Sequence, residues 1–146
     1  MNGMSEEQTA EDRVNSLAVE VRILESTFNE LTSRQNLLER ALLENRAALE
    51  ALKELGERKP DEVLLQIGGG ALVKSTPPSV DKVLVNVGSN VIIEKPKDDA
   101  VTLLEGRAKQ AEQSIMSLIG QRNEIAQRLD TDKQVLQNLL AQGQKG

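Results

Sequence analysis

The chain has 146 residues, with 18 Lys and Arg against 23 Asp and Glu, and a net charge of −5. It holds no cysteine, histidine, Trp or Tyr, and Phe28 is its one aromatic residue. This excludes disulfides and thiolate metal sites and removes the commonest general base, so no catalytic residue, metal site or cofactor is expected and the chain does not read as an enzyme.

Residues 1–13 read as a flexible acidic N-terminus, unlike a signal or transit peptide. Ser5 and Gln8 within it have the spacing of a capping box. From Val14 a heptad begins. Its a positions are Val14, Val21, Phe28, Gln35, Leu42 and Leu49, and its d positions Leu17, Leu24, Leu31, Leu38, Asn45 and Leu52. Sustained 4-3 spacing of apolar residues between largely polar positions is the mark of a coiled coil. We place this first helix at 14–59, stopped by Gly56 and Pro60.

Residues 60–97 change character. Glu62–Ile67 and Ala71–Thr76 read as strands around Gly68, Gly69 and Gly70. Lys82–Val87 and Val91–Glu94 repeat the plan around Gly88, Ser89 and Asn90, while Pro77 and Pro78 separate the pairs. Two β-hairpins with three-residue, glycine-bearing loops follow. Gly68–Ser75 superficially resembles a phosphate-binding loop. However, Val73 replaces its second glycine, and Pro77 and Pro78 forbid the helix that must follow. The strands are apolar on both faces: Val63, Leu65 and Ile67 oppose Leu64, and Val83, Val85 and Val87 oppose Leu84. Such strands need covering on both sides, and a lone hairpin is marginal in water. Other chains are therefore expected to complete the sheet through Val63, Leu64, Leu65, Ile67, Leu72, Val73, Val83, Leu84, Val85, Val87, Val91, Ile92 and Ile93.

A second helix is expected over 98–140, with Asp98 and Asp99 as N-cap candidates and residues 141–146 as a flexible C-terminus. Its a positions are Val101, Ala108, Ile115, Arg122, Leu129 and Leu136, and its d positions Leu104, Ala111, Leu118, Ile125, Asp132 and Leu139. Each arm of roughly 40 residues spans about 60 Å. The fold class is α+β, mainly α: a long antiparallel coiled-coil hairpin with two β-hairpins at the bend. In that arrangement Gln35 and Arg122 fall at similar heights. They either share a polar layer that locks register or snorkel out of a narrow seam. Asp132 is harder to hide and points to a loose seam near the termini.

Charge is spread as twelve acids and eight bases over residues 1–59, four of each over 60–97, and seven and six over 98–146. No segment has the basic footprint of a nucleic-acid binder, and the apolar runs are far too short to span a membrane. A cytoplasmic protein is expected. The abundant glutamine of the second arm weakly disfavours a hyperthermophilic source.

The order helix, two hairpins, helix, with GGGALVK (Gly68–Lys74) and KVLVNVGSNVIIEK (Lys82–Lys95) between the helices, resembles the α-type subunit of archaeal prefoldin over nearly the whole chain. β-type subunits of that family carry one hairpin. The resemblance implies a hexamer of two α-type and four β-type subunits, its hairpins joined in a β-barrel platform from which the coiled coils hang. It implies a chaperone that holds unfolded client proteins at the coiled-coil tips and delivers them to a group II chaperonin without ATP. Geometry then assigns client binding to Val14, Leu17, Val21, Leu129, Leu136, Leu139 and Leu140. The alternative is a structural subunit that forms filaments or an assembly scaffold through its strand edges.

Overall fold

The computed structural model describes residues 2–144, and side chains within residues 9–143. Two long helices enclose two antiparallel β-hairpins in chain order. Helix α1 is Asn2–Lys53, followed by a π-helical turn, Glu54–Arg58; β1 is Val63–Gly68, β2 Ala71–Ser75, β3 Lys82–Asn86, β4 Ile92–Pro96, and helix α2 Lys97–Gln144. The chain divides into two compact units. One takes in α1 up to Leu38 together with α2 from Ser114, and the other runs from Glu39 to Gln113. We call them the terminal unit and the hairpin unit.

In the terminal unit the helices are antiparallel. Gln35 near the middle of α1 meets Arg122, whereas Glu25 and Glu20, nearer its start, meet Lys133 and Arg128, nearer the end of α2. Leu24, Leu31, Ile115 and Leu118 are buried, each at an expected seam position. Full burial of such a side chain contributes about 1.5–3 kcal/mol. In the hairpin unit Leu52, Ala108 and Ala111 are buried likewise, and Arg46 bonds Glu112 at 2.5 Å. Every a and d position of both heptads is buried or half-buried. The exposed Val19, Ile23, Leu37, Leu43 and Met116 all fall off the seam.

Several boundaries differ from expectation. Helix α1 begins at Asn2, so residues 2–13 are helical where a flexible N-terminus was expected. Similarly, α2 continues to Gln144, past the expected end at Leu140. The side chains of Ser5 and Gln8, the expected capping box, lie outside the described residues, as do Met1, Lys145 and Gly146. The stop at Gly56 takes another form. Gly56 lies inside the π-helical turn, and Lys59, at φ 44°, adopts the left-handed conformation that ends it. The Lys97 side chain occupies the space where a Cβ of Gly56 would project, bringing its ammonium to the carbonyl-rich end of the helix, where positive charge is favourable. Asp98 and Asp99 sit within the first turn of α2, not at its cap; there they still face the positive end of the dipole.

The two sheets are separate and two-stranded. In the first, Val63 pairs with Ser75 and Leu65 with Val73, and Gly68 with Ala71 after a register shift. The connection is therefore a two-residue turn, Gly69–Gly70, instead of a three-residue loop. Both glycines have positive φ, 58° and 77°, the pattern of the I′ turn that suits the strand twist. The shift leaves Ile67 as a bulge. The second hairpin keeps its three-residue loop: Val87 N–H donates to Val91 O at 2.9 Å, and Val91 N–H to Gly88 O at 2.8 Å.

Candidate functional site

The ends of the helix pair in the terminal unit form an apolar groove of about 690 Å³. Its α1 wall is Ala10, Glu11, Val14 and Asn15; its α2 wall is Leu139, Leu140, Gln142 and Gly143. Val14 and Leu139 are half-buried seam residues. Leu140, one position beyond the seam, is 50% exposed. Both helices continue past Val14 and Leu139, so the groove is walled by helix on both sides. A second depression nearby brings Leu17 together with Val135, Asp12, Arg13 and Glu20. The expected tip residues thus divide: Val14, Leu139 and Leu140 share one groove, Leu17 lines the next, and Val21, Leu129 and Leu136 are half-buried at the seam.

Farther along the same unit the seam turns polar. Arg122 donates from Nη1 to Gln35 Oε1 at 2.7 Å, and its guanidinium lies 4.8 Å from the centre of the Phe28 ring. The shared polar layer is therefore formed, with a cation–π contact added to it. The cost is visible too, since Arg122 Nε is buried without a partner, and so is Asp132 Oδ2.

The hairpin unit carries the other candidate surface. Its first hairpin is exposed on both faces, through Leu65 and Val73 on one side and Leu64 and Leu72 on the other, with Ile67 68% exposed at the bulge. Val63 is half-buried. The second hairpin is amphipathic. Val85 is only 6% exposed and Val83 and Ile93 are half-buried, while the opposite face presents Leu84 (72% exposed) and Ile92. Val87 and Val91 are exposed beside the turn. Val85 thus packs within its own chain and is not available to a partner. Helix α2 holds this hairpin at both ends: Lys97 N–H donates to Asp81 O at 3.0 Å, and Arg107 donates to Asn86 O at 2.7 Å.

A family model described as Prefoldin subunit matches residues 24–142, from the seam of one helix through both hairpins to the end of the other. The chain belongs to the prefoldin family. It is 33% identical over 138 residues to prefoldin subunit alpha of Nitrosopumilus maritimus, covering 94% of this chain and 95% of that one. It is 42% identical over 101 residues to prefoldin subunit alpha of Methanoregula boonei, covering 64% and 66%. A chain of the filamentous PFD from Methanocaldococcus jannaschii, solved by cryo-EM, is 25% identical and covers 90% and 98%, with a TM-score of 0.43. Among the described residues no helix is long and apolar enough to cross a membrane.

For a prefoldin-family chain the two surfaces lie in different units, and sequence reasoning missed part of each. Glu11 and Val135 were overlooked because neither is a seam position, although Val135 directly precedes Leu136 and so widens the apolar stripe. Arg107 gave no signal: its role depends on a backbone carbonyl 21 positions away, which no side-chain pattern reveals.

Proposed function

We propose that the chain is a subunit of an ATP-independent holdase in the cytoplasm, which captures unfolded proteins at the terminal ends of its helices and passes them to a group II chaperonin. The observation that carries this reading is the groove of Val14, Leu139 and Leu140, an apolar surface held open between two continuous helices. Each contact there is weak and non-directional, which suits clients without fixed structure. Several such ends acting on one client gain through effective concentration. The work needs binding alone, with no catalysis and no cofactor.

Assembly supports the same reading. A hairpin exposed on both faces calls for neighbours, and we infer a closed hexamer of two such chains with four β-type subunits. Deleting residues 1–13 and 137–146 is expected to abolish suppression of client aggregation while the mass of the complex stays unchanged but for the deleted residues; undiminished suppression overturns the proposal. One observation favours a second reading, a filament or scaffold subunit. Each sheet has only two strands, so among the described residues the outer edges have no ladder partner and are open to pairing without closure. Mass measurement of the chain alone and with a β-type partner separates the two. A single closed species supports the hexamer, and a concentration-dependent ladder supports the filament.

A further inference from the structure

Near the start of α1, Glu11 and Asp12 stand off the heptad seam, at e and f positions. Residues 1–12 hold four acids, Glu6, Glu7, Glu11 and Asp12, and no base. None lies in the first turn, the only region where the helix dipole appreciably rewards negative charge. Two acids farther along α1 are matched across the helix pair, Glu20 by Arg128 and Glu25 by Lys133 at 3.1 Å. Glu11 and Asp12 make no ion pair among the described residues, and both are exposed. Among the described residues, Glu11 is the one charged residue lining the groove of Val14, Leu139 and Leu140. Asp12 lies beside Leu17 and Val135 in the second depression, where Arg13 balances part of the charge and Glu20 is already paired.

From this juxtaposition of an apolar groove and unmatched carboxylates, and resting on the capture role proposed above, we infer that the terminal groove selects by charge as well as by hydrophobicity. Its preferred occupant is an unfolded segment with a short apolar run flanked by lysine or arginine. The apolar residues fill the groove between Val14 and Leu139, and the flanking cations meet Glu11 and Asp12. A net negative field raises the encounter rate of oppositely charged segments. Acid-flanked segments of equal hydrophobicity are repelled and left to other binders. Because the carboxylates are exposed, the selection is modest and is screened by salt.

Fluorescence anisotropy on the full-length chain tests this. The probes are labelled peptides with one common leucine- and valine-rich core, flanked by lysines, serines or glutamates. The lysine-flanked peptide is expected to bind about 3- to 10-fold more tightly than the glutamate-flanked one at low salt. The ratio should collapse in 0.5 M NaCl (about a 4 Å screening length) and fall at least by half in Glu11→Gln/Asp12→Asn, whose helicity serves as the folding control. Equal binding of all three peptides, or an unchanged ratio in that double variant, overturns the inference. The capture role is read separately: Leu139→Ser/Leu140→Ser should weaken every peptide whatever its flanks. Were it to weaken none, or were no peptide to bind, the capture role would fall and the charge selection with it.

Discussion

Ser89 and Asn90 make the tight turn of the second hairpin with φ values of 49° and 61°. Asparagine tolerates that conformation, but an L side chain such as serine is strained by about 1–2 kcal/mol. Ser89→Gly is therefore expected to stabilise the hairpin by about 0.5–1 kcal/mol once the greater freedom of unfolded glycine is subtracted. The check is slower hydrogen exchange of the β3 and β4 amides. A second residue works against stability in the same way. Asp132 occupies a seam position with Oδ2 buried and unpartnered, and such an atom costs about 1–3 kcal/mol. Asp132→Leu removes that cost and adds apolar seam, so its urea midpoint is expected to rise by a corresponding amount. A lower midpoint would mean that the carboxylate contributes more than its surroundings indicate.

At the scale of elements, the helix pair is specified by period and corrected by polarity. Arg122 is held between Phe28 and Gln35, a layer that forms only when the two helices meet at one height. In a double-mutant cycle, Gln35→Ala and Arg122→Ala should couple by about 0.5–1.5 kcal/mol; zero coupling would reduce the layer to two snorkelling side chains. The seam itself was legible in the sequence, because burial follows the heptad at Leu24, Leu31, Ile115 and Leu118 without exception. The strand pairs were legible from β-branched runs and glycine clusters. The helix ends were less so: Lys59, and not Gly56, takes the left-handed conformation because a π-helical turn delays the stop, and composition does not report a change of helical pitch. The first turn was misjudged for a similar reason. Three consecutive glycines do not say which two form the turn, and the bulge at Ile67 settles it. The groove was half legible: Leu140 beside Leu139 marked it, while Glu11 and Val135 stand at positions that the heptad ignores.

For the whole molecule, assembly and capture are assigned to different surfaces, so they should fail independently. Leu84→Lys, on the free face of the second hairpin, is expected to lower the mass of the complex while leaving helicity intact. Retention of the full assembly would remove that face from the interface. Capture is tested most directly by a photo-crosslinking amino acid placed singly at 140, at 37 or at 116, in the presence of a chemically unfolded client. Leu37 and Met116 are more exposed than Leu140, at 65% and 73% against 50%, yet neither lines the terminal groove. If the groove captures, the client crosslinks at 140 and only weakly at 37 and 116. Crosslinking in proportion to exposure, strongest at 116, would contradict the account.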